Sequence, residues 1–324
     1  MRLKLVPSET NWDFFRFSTL TLGASGLAVI ASIVLFFMVG LNFGIDFRGG
    51  TTIRTDAESA VDVAAYREAL QGLDLGDISI TEVFDPTFAE NRHVTMINVQ
   101  AQDGEESVTP DTIAAIEAVL QEVDPTITFP SVESVGPTVS GELVQTAIIA
   151  VTLAIAAVLV YIWLRFEWQF SLGAVIALVH DVTLTIGIFC LLQIRFDLAI
   201  IAALLTIVGY SLNDTVIVFD RVRENLRRFK KMELKELLNL SINDTLSRTV
   251  MTSFTTLIAL IALFVLGGDV IRGFVFAMIW GIVVGTYSSV FVASAILLRL
   301  GVKRDWSKPE GGGPAGTQFA NIDA

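Results

Sequence analysis

Apolar residues are gathered along this chain into six blocks of about twenty, separated by polar stretches. An α-helix rises 1.5 Å per residue, so about twenty residues cross the roughly 30 Å hydrocarbon layer of a bilayer. The pattern therefore predicts six transmembrane helices. The predicted spans are residues 18–41, 143–164, 170–192, 198–219, 249–266 and 270–298. The first block is too long for the apolar region of a cleaved signal peptide, and no clear small-residue cleavage site follows it, so we expect a retained span.

The composition agrees with a membrane protein. Of the 324 residues, 53% are hydrophobic and 17% are charged, whereas average domains carry about 25% charged residues. The single cysteine, Cys190, excludes a disulfide bond within the chain and a cysteine-based metal site. The sequence has neither a G-x-x-x-x-G-K-S/T phosphate loop nor a cluster of histidines and cysteines. We therefore expect no cofactor, no metal and no enzymatic activity in the chain itself, and a net charge of −12 argues against nucleic-acid binding.

The polar segment between the first two spans, residues 42–142, is long enough for one small folded domain. Its alternating and helical periodicities predict the order β-α-β-β-α-β, which is typical of a ferredoxin-like sandwich. The expected elements are strand 50–54, helix 58–72, strand 77–84, strand 92–99, helix 110–122 and strand 126–134. The predicted fold class is a polytopic α-helical membrane protein with a small α+β domain outside the membrane.

Charge is distributed unevenly between the polar segments. Residues 42–142 hold 19 acidic and 4 basic side chains, whereas residues 220–248, between the fourth and fifth spans, hold 8 basic and 5 acidic ones. Basic loops favour the cytoplasmic side of a membrane. We therefore expect the loop 220–248 in the cytoplasm and the acidic domain on the opposite, periplasmic face.

Strict alternation of the spans then places both ends of the chain in the cytoplasm. The start, residues 1–17, is basic and aromatic, as is typical of a membrane interface, and the tail 299–324 carries further basic residues. From about residue 307 the tail is rich in glycine and proline, which predicts disorder. Arg195 and Arg272 are minor exceptions to the charge rule.

Ionisable side chains inside the predicted spans are the candidate functional groups, because each costs at least about 2.5–3.5 kcal/mol to insert. Asp181 lies near the middle of the third span, Asp214 five residues before the end of the fourth, and Arg248 at the start of the fifth. Asp214 is therefore about 7 Å inside the end of its span. The long side chain of Arg248 can reach inward by a similar distance, so the two groups are matched in depth.

Hydroxyl groups share helix faces with all three residues and could hold water that relays protons. They are Tyr210 and Ser211 beside Asp214, Thr252 and Thr255 beside Arg248, and Thr185 beside Asp181. A carboxylate that loses an arginine partner inside the membrane is expected to take up a proton, and to release it when the partner returns. Asp214 and Arg248 are thus a candidate proton-coupling pair, with Asp181 and Asn213 as further relay candidates. The alternative, hydrogen bonding that only joins helices, stays open for these groups and for His180.

Five motifs occur in order along the chain and carry a family resemblance. They are GIDFRGG at 44–50, VGPTVSGEL at 135–143, HDV at 180–182, GYSLNDTVIVFDRVREN at 209–225 and TLSRTVMTSFTTL at 245–257. Together they resemble the SecD/SecF family, membrane subunits of the bacterial Sec protein-export machinery within the resistance-nodulation-division superfamily. The form GIDF and the short outer segment favour the SecF branch of that family.

The resemblance implies a partner and an activity. A chain of the SecF branch pairs with SecD into a twelve-span, pseudo-symmetric unit in the bacterial inner membrane. That unit uses the proton-motive force to help pull preproteins across the membrane after the ATP-driven step at the SecYEG channel, and YajC is a further expected partner. The multi-pass topology keeps both termini in the cytoplasm and residues 42–142 in the periplasm.

The resemblance also assigns residues. The proton-relay positions of the family in this half match Asp214 and Arg248, and a further essential aspartate lies in the SecD half. The glycines of the first motif, Gly44, Gly49 and Gly50, are expected to allow a tight turn out of the membrane. Asp46 in the same motif is expected to cap the turn or to pair with Arg48.

Three other functions compete with this interpretation. Asp181 and Asp214 on neighbouring spans could form an intramembrane aspartyl protease, but the sequence before Asp214 lacks the GxGD motif of such enzymes. A scaffold subunit could stabilise the translocase without proton coupling. A self-contained drug or lipid exporter of the same superfamily would need a second set of spans in the chain.

Overall fold

The computed structural model describes residues 10–73, 75–76, 78–83, 92–100 and 108–302. Six helices in this part of the chain are long and apolar enough to cross a membrane, which confirms the predicted fold class. They are α1 (Ser18–Met38), α5 (Pro137–Arg165), α6 (Trp168–Leu192), α7 (Leu198–Arg228), α8 (Leu234–Leu266) and α9 (Asp269–Ser288), which continues through a π-helical turn (Ser289–Ala293) into α10 (Ser294–Leu300). The tail predicted to be disordered from about residue 307 lies outside the described residues.

The segment between α1 and α5 forms the expected ferredoxin-like domain, here called the sheet domain. Its strands are β1 (Gly50–Ala57), β2 (Ile78–Val83), β3 (His93–Gln100) and β4 (Thr128–Val135), its helices are α3 (Val63–Gln71) and α4 (Pro110–Val123), and a short helix α2 (Ile45–Arg48) precedes it. The strand order is β2-β3-β1-β4, and all neighbours are antiparallel. This is the topology that the β-α-β-β-α-β order predicts.

Local capping sets where the helices of the sheet domain begin. The side chain of Asp62 accepts hydrogen bonds from the amides of Ala64 and Ala65, so α3 begins at Val63 and not at residue 58 as expected. Thr109 caps α4 in the same way. The two helices cover one face of the sheet, and their apolar side chains form one core with it. Fully buried members of that core are Ile53, Leu70, Ile97, Ile116 and Leu120.

Helix α7 lies at the centre of the membrane part and packs against α6, α8 and α9. Two glycines of α9 let it approach α7 closely, because a methyl group on Gly281 would overlap Ile207, and one on Gly285 would lie 3.1 Å from the Cβ of Ser211. Small residues allow close backbone approach between transmembrane helices. By contrast, the most apolar windows of α1, α5 and α8 are only 11% buried each.

The segment 220–248, which we expected to be a cytoplasmic loop, is mostly helical. Helix α7 continues to Arg228 and α8 already begins at Leu234. The two extensions are held side by side by hydrogen bonds from Arg221 to Asp244 (2.9 Å) and from Asn225 to Ser241 (2.9 Å). The helical extensions were not expected because hydropathy marks where a helix leaves the membrane and says nothing about where it ends; the cytoplasmic position of the segment stays a prediction. Helix α5 likewise begins at Pro137, within the segment assigned to the outer domain.

Loops gather on two opposite sides of the membrane helices. On the side of the sheet domain, the side-chain amide of Asn42 donates to the backbone carbonyl of Gln193 (2.9 Å), which brings the end of α1 to the α6–α7 loop. On the other side, the backbone of Trp12 exchanges two hydrogen bonds with the side chain of Asn243 in α8, each 3.0 Å long. The start of the chain and the polar extensions of α7 and α8 therefore share one side.

Candidate functional site

Helices α6, α7, α8 and α9 pack against one another and carry buried polar side chains, which are rare in membrane helices unless they have a role. Those in the apolar part of the helices are His180, Asp181 and Thr185 on α6, Ser211, Asp214 and Thr215 on α7, Thr249 and Ser253 on α8, and Ser288 on α9. The sequence candidates Asp181 and Asp214 both belong to this set, and the structure gives them different surroundings.

Asp181 is completely buried and lies at the centre of a hydrogen-bond network. One carboxylate oxygen contacts Nδ1 of His180 at 2.8 Å. The other accepts hydrogen bonds from the hydroxyls of Ser211 (2.6 Å) and Ser288 (2.7 Å). Asp181 therefore joins three helices, α6, α7 and α9, and both of its oxygens have partners. Two serine hydroxyls donate to one oxygen, and a ring nitrogen lies at hydrogen-bond distance from the other.

Asp214 is equally buried, with 1% of its surface exposed, but neither of its carboxylate oxygens has a hydrogen-bond partner among the described residues. It lies one helical turn after Ser211, whose hydroxyl is bound to Asp181. A buried polar group without a partner costs about 1–3 kcal/mol. A buried polar group without a partner therefore needs an explanation in a native fold. For the Asp214 carboxylate, one explanation is a role in binding or in proton transfer.

Arg248 lies on α8, and its charge is close enough to act electrostatically on the carboxylate of Asp214. The two do not form an ion pair in this structure, since the Asp214 oxygens are unpartnered, and the Arg248 side chain is exposed. The depth match that the sequence predicts thus brings the two charges near each other without direct contact. The hydroxyl of Thr249, the next residue, is also buried and without a partner among the described residues.

Two other candidates differ in their placement. Asn213 is exposed, on a different side of α7 from its buried neighbour Asp214. His180 is buried, with Nδ1 on Asp181, and its Nε2 has no hydrogen-bond partner in the described part of the chain. Its ring packs against Tyr287 at 6.2 Å between centroids. The Tyr287 hydroxyl in turn bonds Ser25 of α1 at 3.0 Å. His180 therefore extends the Asp181 network towards α1, whereas Asn213 lies outside the network.

The glycines of the GIDFRGG motif occupy the junction between α1 and the sheet domain. Gly49 and Gly50 have φ values of 74° and 132°, which L-residues rarely adopt, and strand β1 starts at Gly50. Asp46 does act as a cap, but on another element, because its carboxylate accepts a hydrogen bond from the amide of Leu198 (3.1 Å) at the start of α7. No hydrogen bond or ion pair between Asp46 and Arg48 is seen.

Sequence reasoning missed Ser288, which donates to Asp181 from 107 residues away along the chain. The π-helical turn begins at the next residue, Ser289. The hydroxyl of Ser294, which follows the turn, donates a hydrogen bond to the carbonyl of Ser289 (3.1 Å). π-Turns inside α-helices are frequent at functional sites. The sequence signal was the run of hydroxyl residues 286–289 within a largely apolar span.

The arrangement can bind and move protons. A fully bonded carboxylate, Asp181, is linked through one serine hydroxyl to the helix turn that carries an unbonded carboxylate, Asp214, with a cation nearby. Hydroxyl groups can both donate and accept, so they can pass a proton between such groups. Among the described residues, no group of three histidine, cysteine or acidic side chains is placed to hold a metal ion.

A comparison with family models finds two matches. Residues 115–303 match the model described as protein export membrane protein SecD/SecF, C-terminal, and residues 34–61 match the SecD/SecF GG motif. The chain belongs to the SecD/SecF family. The GG motif of the family falls on the α1–β1 junction, and the C-terminal model covers the helices from α5 to α10.

Individual relatives agree with the family assignment. The chain is 62% identical to the protein translocase subunit SecF of Cereibacter sphaeroides, over 100% of this chain and 99% of that one. It is 40% identical to the protein translocase subunit SecDF of Brucella abortus, over 93% of this chain and 39% of that one. The crystal structure of SecDF from Thermus thermophilus, a translocon-associated membrane protein, superposes with a TM-score of 0.81 at 35% identity, covering 93% of this chain and 40% of that one.

Proposed function

We propose that the chain works as a SecF-type auxiliary subunit of the Sec preprotein translocase. Paired with SecD, it uses the proton-motive force to assist protein translocation across the bacterial inner membrane. Both termini lie in the cytoplasm and residues 42–142 in the periplasm, as the positive-inside rule favours. The SecYEG channel and the translocating preprotein are the further partners, together with YajC.

One observation carries the proton-coupling part of the proposal. The carboxylate of Asp214 is buried among membrane helices, has no hydrogen-bond partner among the described residues, and lies within the electrostatic reach of Arg248. An ionisable group at this depth is expensive to keep and is a functional-site hypothesis by default. Its unbonded oxygens are free to exchange a proton or to pair with the arginine.

In the proposed cycle, the distance between Asp214 and Arg248 sets the charge of the aspartate. When the arginine approaches, it stabilises the carboxylate and a proton leaves, and when the arginine withdraws, the aspartate takes up a proton. The relay continues through Ser211 to Asp181, since the Ser211 hydroxyl bonds Asp181 and lies one turn from Asp214. Asn213, being exposed on another side of α7, is not part of this route.

The lengths of the relatives support SecD as the partner. Proteins named SecDF match this chain over only 39–40% of their length, so more than half of each SecDF chain lies outside the region that is similar to this one. We infer that the remainder of those chains corresponds to SecD. The SecYEG and YajC contacts rest on the family resemblance of the motifs.

A scaffold without proton coupling is the second candidate, and one observation favours it. The Asp181 network joins three helices and leaves no carboxylate oxygen free, as a purely structural hydrogen-bond centre would. Under this alternative, Asp214 would also be dispensable for export as long as the chain assembles with its partners.

Replacing Asp214 by asparagine separates the two candidates. Asp214→Asn keeps the size of the side chain and removes its ability to ionise, so proton coupling predicts that export falls to the level seen without the subunit. Export of a secreted reporter is measured in cells that rely on the variant, with assembly with SecD checked by co-purification.

Asp220→Asn is the matched control, because Asp220 lies on the same helix but is partly exposed and pairs with Arg165 at 3.0 Å. The control is expected to export normally. Normal export by an assembled Asp214→Asn protein would contradict the coupling role and leave the scaffold as the better function.

A further inference from the structure

The loop between α6 and α7 contacts the sheet domain directly through Arg195. Its Nη1 atom donates to the side-chain oxygen of Asn98 on β3 (3.3 Å) and lies 3.4 Å from the sulfur of Met96 on the same strand. The same Asn98 oxygen accepts a hydrogen bond from the hydroxyl of Thr52 on β1 (2.7 Å). Arg195 therefore binds an acceptor that is fixed on the two central strands of the sheet.

A second set of contacts joins the same loop to the GIDFRGG segment. The amide of Phe196 donates to the carbonyl of Asn42 (2.7 Å), and the amide of Gly44 donates to the carbonyl of Phe196 (2.8 Å). Asp46 then caps the first turn of α7 by accepting from the amide of Leu198 (3.1 Å). The start of α7 is thus bonded by backbone and side chain to the segment that leads into the sheet.

The segment that connects α2 to β1 of the sheet domain is short. Helix α2 ends at Arg48 and β1 starts at Gly50, so one residue separates them. Gly44 is packed so closely that an added methyl group would lie 2.9 Å from Nε of Arg195 and 3.5 Å from Cβ of Asp197. The glycine therefore allows the Arg195 side chain to pass the segment and reach β3.

These contacts give α7 a route to the sheet domain that the covalent chain does not provide. The chain enters the sheet domain from α1 and leaves it into α5, whereas α7 follows two helices later. Asp214 lies sixteen residues beyond Leu198 on the same continuous helix, about 24 Å away. A rigid helix can carry a displacement over that distance, provided that its far end is attached to what must move.

We propose that Arg195 is a positioning residue that couples α7 to the sheet domain. Movement of α7 during the relay is transmitted through the bonds from Arg195 to Asn98 and from Leu198 to Asp46, which stay closed through the cycle. This inference rests on the proposed function, and it adds a specific mechanical link between the proton site and the domain that would act on the exported chain.

Arg195→Met tests the link, because methionine keeps part of the aliphatic stem and removes the donor. We measure proton uptake and preprotein export in parallel, in proteoliposomes that contain SecYEG, its ATPase, and the chain assembled with SecD. The expected result is proton uptake close to that of the unaltered chain with the proton-driven part of export reduced about tenfold, the usual effect of losing one charge-assisted hydrogen bond.

Arg272→Met is the matched control. Arg272 is another arginine on the sheet side, half-buried, and it pairs with Asp269 of its own helix, so its loss is expected to leave export unchanged. Normal export by Arg195→Met would overturn the proposal. So would a parallel loss of uptake and export, because the arginine would then support the relay or the fold and not the transmission. An Asp214→Asn protein that exports normally would instead refute the proposed function.

A cross-link tests the same proposal without relying on the loss of a contact. Arg195→Cys and Asn98→Cys are combined with Cys190→Ala, which removes the natural cysteine, and the two thiols are joined by a short bis-maleimide. Because Arg195→Cys already removes the natural contact, the protein before cross-linking is expected to show the reduced proton-driven export of Arg195→Met. A link that stays closed predicts that the cross-link restores this export, and an unchanged level would overturn the proposal. Arrest of export on cross-linking would show that the contact must open, and would overturn the proposal.

Discussion

Asp181 and Asp214 are both buried in the membrane part, yet they differ in what their oxygens contact. Asp181 accepts hydrogen bonds from serines on two other helices and contacts its neighbour His180, while Asp214 has no hydrogen-bond partner among the described residues. A carboxylate with all its partners holds helices together, and one without partners is available for exchange. At the scale of single residues, their surroundings therefore divide the two aspartates into one that is bonded to other helices and one that is left unbonded among the described residues.

This division predicts unequal effects on stability. Asp181→Ala removes the acceptor of the Ser211 hydroxyl and of His180, whereas Asp214→Ala removes the same number of atoms but no hydrogen bond. We expect Asp181→Ala to lower the free energy of unfolding by about 1–3 kcal/mol more than Asp214→Ala. Thermal unfolding of the two purified variants in one detergent gives the comparison. Equal losses would mean that the network contributes nothing to stability.

At the scale of elements, the termination of α4 shows how the sheet domain depends on pH. Asp124 ends this helix, and its carboxylate accepts from the Ser59 hydroxyl (2.6 Å) and from the hydroxyl and amide of Thr126 (2.6 and 2.8 Å). These bonds, that of Ser59 first, hold the pKa of Asp124 below its usual 3.8, although partial burial acts in the opposite direction. Because the pKa is lowered in the folded state, the stabilisation is present above 3.8 and is lost as the pH falls through the lowered value.

The corresponding variant is Asp124→Asn. It is expected to cost the sheet domain about 1–3 kcal/mol at pH 7 and to weaken the loss of stability in acid below pH 3.8. Amide hydrogen-exchange protection of α4 and β4 in the full chain, from pH 3 to 7, measures both effects. Glu122→Gln, an exposed acid in the last turn of the same helix, is the control. An unchanged acid dependence in Asp124→Asn would refute the assignment.

At the scale of the whole molecule, much of the apolar surface is still uncovered. The most apolar window of α8, the helix that carries Arg248, is only 11% buried, and that of α7 is 50% buried. Since proteins named SecDF contain this fold in 40% of a chain, a SecD-like half has room to pack against these helices. We therefore expect the proposed relay to need both halves.

Reconstitution tests this dependence on a partner. Liposomes that contain the chain alone are expected to show no proton uptake above the background leak under an imposed gradient, and liposomes with the chain and SecD together are expected to show it. A pH-sensitive dye inside the vesicles reports the uptake, and the Asp214→Asn complex serves as the background. Uptake by the chain alone would contradict the shared relay.

The sequence by itself determined the number of spans, the ferredoxin-like order and the depth of the charged residues. These follow from local rules, because hydrocarbon thickness fixes the length of an apolar block and periodicity reports helices and strands within a few residues. The same rules did not predict the helical extensions of α7 and α8. Polar residues that pair between two helices give the same hydropathy pattern as a loop.

Only the tertiary structure decided which aspartate has partners and how α7 meets the sheet. The donors to Asp181 come from 30 and 107 residues away, and the Asn98 that Arg195 contacts lies 97 residues away. Contacts over such separations depend on how whole helices pack, so they cannot be predicted from the pattern of neighbouring residues along the chain. The sequence could therefore propose Asp214 and Arg248 from their depth, while Ser288 and the Arg195 link required the fold.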